Sequence, residues 1–274
     1  MFGVVGHTEW VDFAVCERLP APGEILHGRE LFSAAGGGGA VAAVQLRKLA
    51  GEAFLITALG DDDAGRSARA DLLRRELALE AATPPGTPQR RAFTYLTDDH
   101  ERTITVLGER LVPGRERDQE LAWELCDDAQ AIYFTGGDAA ALRAARGARV
   151  LVATPRAREA ICAAQVQLDV LVASASDPGE SVDGFDPPPK RVVLTAGAAG
   201  GSWTGVDGAT GAWGAAALPG PALDAYGCGD SFAAGLTYGL GAGLAMADAL
   251  DLAARCGAHC LTGRGPYGAQ LTLG

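Results

Sequence analysis

A chain of 274 residues with a net charge of −11 and a pI near 4.8 can bury a substantial core, and its charge argues against nucleic acid or an anionic membrane surface as the main partner. A small metabolite is the better default. The six cysteines are scattered, and no signal peptide, membrane span or clear linker pattern shows, so we expect one domain over residues 1–274 with reduced thiols in a cytoplasm. Lys48 and Lys190 are the only lysines and neither follows a glycine, which excludes a Walker-type P-loop. Cys256, His259 and Cys260 would lie close on a helix, but no second pair stands nearby to complete a structural zinc site.

In chain order, Phe2 to Gly6 is a short apolar run ending in glycine, consistent with a buried parallel strand. The chain continues Gly6-His-Thr-Glu-Trp-Val-Asp12, so the dinucleotide fingerprint is absent where it would fall. Strand alternation puts Glu9 and Asp12 on opposite faces unless the backbone bulges. Four glycines, Gly36 to Gly39, precede an apolar helix through Leu49 and permit close backbone contact with a ligand. A strand follows over Glu52 to Leu59, then a helix ending near Leu79. Phe93 and Tyr95, a polar turn at Asp98 to Glu101, and alternating Thr103 to Val106 read as a hairpin. From Glu120 strands and helices alternate: Ala131 to Thr135, Ala139 to Arg146, Arg149 to Thr154, Arg156 to Gln167 and Asp169 to Ser174. Repeated βα units predict a doubly wound, mostly parallel sheet with helices on both faces. Asp186-Pro-Pro-Pro-Lys190 is a stiff connection into the strand Arg191 to Thr195, and a second apolar helix spans Ala245 to Leu261.

The chain is organised around Asp224-Ala-Tyr-Gly-Cys-Gly-Asp-Ser-Phe232, a glycine turn feeding a helix in which Phe232, Leu236 and Leu240 share a face. Such a start suits an anion, because unpaired N–H groups and the macrodipole point outward there. Asp230 at its mouth can accept a proton, although by local pattern alone Asp230 or Ser231 reads equally as an N-cap. The pattern Asp224-x-x-Gly227-x-Gly229-Asp230-x-Phe232-x-Ala234-Gly235 resembles the C-terminal signature of the ribokinase-like, phosphofructokinase-B family of sugar and nucleoside kinases. Pro20-Ala-Pro-Gly-Glu24, Gly60-Asp-Asp-Asp-Ala-Gly65, His100-Glu-Arg-Thr103 and Thr195-x-Gly197-x-x-Gly200 resemble further family motifs in family order.

The resemblance implies an ATP-dependent kinase of a sugar or nucleoside, with magnesium and optionally a monovalent cation as cofactors. It implies Asp230 as base, with the N–H groups of Gly227, Cys228 and Gly229 as anion hole. Thr195, Gly197, Gly200 and Ser174 would border the nucleotide, while Glu9, Asp12, Gly37 and Gly38 would face the acceptor. A small β lid built from segments 12–35 and 91–110 would cover it and could support a homodimer. Three departures stand out. Val11 occupies the position of the family's substrate-binding Asp, Val41 that of its sugar-binding Asn, and Ser174-Ala-Ser-Asp177 replaces Asn-x-x-Glu, leaving Asp177 and Glu180 as candidates for the metal shell. A relative that binds ligand without turnover would also explain these departures, and a nucleotide-dependent oxidoreductase is the more distant alternative. The helix terminus is expected to lower the pKa of Asp230 and to favour the Cys228 thiolate.

Overall fold

The computed structural model describes residues 1–273. The opening apolar run is strand β1 (Phe2–Val5), buried throughout. Strand β2 (Glu9–Val15) alternates, with Glu9, Val11, Phe13 and Val15 inward. Strand β3 (Glu30–Gly36) pairs with it without a bulge, from Glu9 opposite Gly36 to Val15 opposite Glu30, so Glu9 and Asp12 do face opposite ways. The glycine run opens helix α1 (Gly37–Ala50), which is followed by β4 (Phe54–Ala58). Helix α2 (Asp63–Arg74) is capped by Asp62, whose carboxylate accepts from the Gly65 N–H at 2.8 Å.

That helix stops at Arg74 rather than near Leu79. Glu76 takes a left-handed φ of 59°, and β5 (Ala78–Ala82) pairs parallel to β4 at the sheet edge. Ladder pairing there overrides the helix propensity of an Ala- and Leu-rich segment. The hairpin forms as read, from β6 (Arg91–Leu96) and β7 (Arg102–Leu107), with Leu96 opposite Arg102. The alternating half supplies β8 (Ala131–Phe134), α3 (Ala139–Ala145), β9 (Val150–Ala153), α4 (Arg158–Ala164), β10 (Val170–Ser174) and β11 (Arg191–Thr195). An antiparallel pair, β12 (Gly201–Gly205) and β13 (Thr210–Trp213), then leads to α5 (Cys228–Gly241) and α6 (Met246–Leu261).

Nine strands form one sheet in the order β13-β12-β11-β10-β9-β8-β1-β4-β5, parallel from β11 to β5. Strand alternation divides the apolar side chains between two cores. Val4, Leu55, Tyr133 and Val152 pack with α1, α5 and α6, whereas Val5, Ile56, Ile132 and Leu151 pack with α3 and α4. Each such fully buried aliphatic side chain contributes roughly 1.5–3 kcal/mol. The remaining strands form a small β lid in the order β3-β2-β6-β7, joined to the first core through Val11, Phe13, Ala92 and Leu96. Because β2 follows β1 after three residues, this sheet stands over the C-terminal ends of the parallel strands, where open α/β sheets bind ligands. Among the described residues no helix is long and apolar enough to cross a membrane.

Candidate active site

Helix α5 begins at Cys228, so Asp230 lies in its first turn rather than ahead of it. The turn before it is fixed by buried Asp224, whose carboxylate accepts from the N–H groups of Tyr226 and Gly265, each at 2.6 Å. Gly227 takes φ +80°, and a Cβ there would lie 2.9 Å from Val41 Cγ1, so both backbone and space demand glycine. Ser231 N is the first to join the helix ladder, at 2.9 Å from Gly227 O, which leaves the N–H groups ahead of it directed outward. Cys228 N among them makes only a long contact of 3.5 Å to Ala225 O. The Tyr226 hydroxyl accepts from Gly37 N at 3.2 Å and ties this turn to the start of α1. Asp230 Oδ1 consequently comes within 2.8 Å of the place a Cβ on Gly38 would occupy. Gly37, Gly38 and Asp230, distant in sequence, thus share one floor.

The expected lowering of the Asp230 pKa is reversed. Burial, and then the Glu180 carboxylate, push it up to about 6, against the pull of Arg102 and Arg156.

His7, in the connection after β1, and Glu9, the first residue of β2, join this floor, both close to Gly37. His7 Nδ1 accepts from Arg110 Nη2 at 2.8 Å, which places the ring proton on Nε2, 3.9 Å from Glu9 Oε1. Burial lowers the His7 pKa well below the ordinary value, so the ring is neutral. Glu9 pairs with Arg90 at 2.8 Å, and burial raises its carboxyl in spite of that partner. Asp12, the other expected acceptor-binding carboxylate, is not brought here. It lies on the opposite face of β2, paired with Arg91 and accepting from Ser33 Oγ at 2.6 Å.

On the other side of Asp230, Ser174 and Thr195 stand opposite each other at the ends of β10 and β11. Gly197 and Gly200 form the tight turn beyond Thr195, closed by Ala196 N to Gly200 O at 2.8 Å. The four expected nucleotide-bordering residues therefore lie together at the C-terminal ends of two neighbouring strands. Asp177 and Glu180 are both held by Arg156, Glu180 at 2.7 Å, and Ser174 N donates to the second Glu180 oxygen at 2.8 Å. No group of three or more His, Cys, Asp or Glu side chains able to hold a metal forms among the described residues. Every oxygen of the two carboxylates already accepts a hydrogen bond, so the pair fits a hydrated magnesium carried by nucleotide phosphates better than direct ligation. Glu180, rather than Asp177, is the one whose charge Asp230 feels.

Cys228 also departs from expectation. The neighbouring Cys260 thiol and burial raise the pKa of its thiol instead of lowering it, and Sγ makes only a long contact of 4.0 Å to Asp224 O. Iodoacetamide at neutral pH should therefore modify exposed Cys162 before Cys228, as followed by mass spectrometry of the timed reaction. An adduct appearing first on Cys228 would contradict the protonated thiol.

Sequence reasoning missed His7, Arg90, Arg110 and Arg156. His7 had a signal, its place directly after the glycine that ends β1. The arginines had none, since isolated arginines far apart in sequence carry no pattern until the fold gathers them.

A doubly wound sheet with a β lid, and a carboxylate between a glycine-started helix and a glycine run, define a protein of the ribokinase-like type. The chain belongs to the pfkB family of carbohydrate kinases, phosphotransferases with an alcohol group as acceptor, whose family profile matches residues 3–272. It is 28% identical over 106 residues to the ribokinase of Dictyostelium discoideum, a match covering 38% of this chain and 33% of that protein, so it spans about a third of that relative's length. Its fold resembles Giardia lamblia ribokinase with TM-score 0.79 at 18% identity, over 96% of this chain and 93% of the other. Arabidopsis thaliana ribokinase complexed with ribose and ATP gives 0.73 at 19% identity, over 96% and 93%. Burkholderia thailandensis nucleoside kinase in complex with inosine gives 0.72 at 19%, over 99% and 95%.

Proposed function

We propose that the protein transfers the γ-phosphoryl group of ATP to a hydroxyl of a small sugar or sugar-like metabolite in the cytoplasm. The observation that carries this reading is the position of Asp230, held between the outward N–H groups of α5 and the glycine floor of α1. The acceptor would lie over Gly37 and Gly38 beside His7 and Glu9, and ATP along Ser174, Thr195, Gly197 and Gly200. Ribose, inosine and ATP in the structural relatives named above support an acceptor of this size and a nucleotide donor.

Asp230 takes the proton of the attacking hydroxyl, and a pKa of about 6 leaves it ionised at pH 7 yet basic enough to serve. The N–H groups of Gly227, Cys228 and Gly229 face the transferring phosphoryl group, and the α5 dipole adds to them. Phosphoryl transfer has a loose transition state, so alignment and charge stabilisation outweigh strong base catalysis. Asp177 and Glu180 would orient the water shell of magnesium, which when bound neutralises phosphate charge. The β lid excludes water above the acceptor. It leaves apolar side chains exposed on both faces, Leu31 and Leu107 on the side away from the core and Ile104 and Val106 on the side of Ala92 and Thr94, which a homodimer would cover.

The test is ADP release from ATP and magnesium in the presence of a panel of sugars and nucleosides, with potassium varied in parallel. Release should depend on an acceptor, vanish with chelator and return with added magnesium. ATP turnover that no acceptor stimulates would refute the kinase reading.

A further inference from the structure

Arg110 lies across the strand ends on the acceptor side. Its Nη2 donates to His7 Nδ1 at 2.8 Å and to Thr135 O at 2.7 Å, and its Nη1 donates to Arg156 O at 3.0 Å. These partners are all uncharged, since His7 is neutral. The neighbouring arginines differ, because Arg90 has Glu9, and Arg156 has Asp177 and Glu180. Among the described residues no carboxylate pairs with Arg110. Two of its five N–H donors, on Nε and Nη1, remain without an acceptor, and the Nε is buried. The hydroxyl of Thr135, whose carbonyl Arg110 holds, is likewise buried and unpartnered.

A cation withdrawn from water without a counter-ion is costly, and the strain shows in the direction of its titration: burial and the Arg90 charge lower the Arg110 pKa. Among the acids of the site Glu9 acts on this charge, but from beyond pairing distance. Asp177 and Glu180 are engaged by Arg156 on the nucleotide side, Asp230 stands over Gly38, and Glu9 is taken by Arg90. The acceptor side thus carries Arg90, Arg110 and, acting on Asp230, Arg102 against Glu9 and Asp230, and neither carboxylate pairs with Arg110. Val11 and Val41, both fully buried, offer a neutral sugar no hydrogen bond.

We infer that the acceptor is itself an anion, a hydroxylated small molecule bearing a carboxylate or a phosphate ester that docks on Arg110 and supplies its missing counter-charge. This rests on the phosphotransfer reading above, and it makes Arg110 the specificity-determining residue. A planar guanidinium with donors to spare matches either group, and its anchoring by two carbonyls and an imidazole fixes it before the acceptor arrives.

The test compares wild type, Arg110→Gln and Arg110→Lys on aldonates, on pentose and hexose phosphates, and on the parent neutral sugars at constant ionic strength. Two measurements are made, acceptor-dependent ADP release and the shift in melting temperature without ATP. One anionic class should exceed its neutral parent in kcat/KM by about 10- to 100-fold, the worth of one charged hydrogen bond. Which class does so separates carboxylate from phosphate. Arg110→Gln should abolish that preference mainly through KM, while Arg110→Lys keeps part of it. A purely structural role would weaken anionic and neutral acceptors alike and leave their ratio unchanged, which overturns the inference, as does a neutral sugar used as well as its anionic form. If nothing releases ADP, stabilisation by an anion that Arg110→Gln loses upholds anion recognition and refutes the kinase; absence of stabilisation by any anion refutes the inference. Should Arg110→Gln not fold, the wild-type anion-to-neutral ratio decides.

Discussion

Asp230→Asn should lower kcat by about 10²- to 10⁴-fold while ATP still binds, the usual cost of losing a positioned general base. The amide keeps the shape of the carboxyl against Gly38 but cannot take the hydroxyl proton. In wild type the rate should fall as pH drops through about 6, because the carboxyl protonates there. The effect on stability has the opposite sign to that of a salt-bridged acid. Burial and Glu180 raise the pKa of Asp230 above its unfolded value of 3.8, so the folded state holds the proton more tightly. The corresponding stability is present below pH 4 and lost as pH rises through about 6. At pH 7 to 8 the Asn variant, which carries no charge to bury, should therefore melt at a higher temperature than wild type. A large loss of kcat with a raised melting temperature is the signature of a residue placed for chemistry at the expense of the fold. Retention of more than half the activity would remove Asp230 from the role of base.

The parts of this site that could be read from the sequence are those made by contiguous residues. Gly227, Gly229 and Asp230 announce a helix start because turn glycines and an acid must be adjacent to form one, and the glycine run before α1 is legible for the same reason. The alternation of β2 correctly separated Glu9 from Asp12, since side-chain direction in a regular strand is a local matter. What the sequence concealed depends on contacts between distant segments. The dipole at the start of α5 is a local property and predicts a low pKa for Asp230, but Glu180 and the walls of the cleft belong to other elements and reverse it. The same holds for Cys228, whose thiol meets Cys260 of α6. The guanidinium of Arg110 reaches His7 across more than a hundred positions, and only the sheet order that sets β8 beside β1 brings them together. Even α2 was misjudged at its end because the edge of β4 offered Ala78–Ala82 a ladder that propensity does not record.

Gly38→Ala should cost about 100-fold in kcat without unfolding the protein. A Cβ at this position would lie 2.8 Å from Asp230 Oδ1 and 3.6 Å from His7 Cε1, so the first contact is too close and the second is ordinary packing. The offending atom is the end of a side chain, and the carboxylate can swing away while the backbone of α1 stays in place. Gly38 lies within the first turn of α1 and does not have the left-handed φ of its neighbour Gly37, +82°, so alanine fits its backbone. Helix propensity then favours the variant by up to about 1 kcal/mol, offsetting the cost of moving Asp230. Catalysis has no such compensation, because a reacting group displaced by about 1 Å loses on the order of 10² in rate. The measurements are kcat and KM for ATP beside a thermal melt, with KM for ATP unchanged because the nucleotide side is untouched. Wild-type kcat in a folded Gly38→Ala protein would show that Asp230 acts from some other position, whereas a collapse of the melting temperature would show that the glycine serves the packing of α1 rather than the placement of the base.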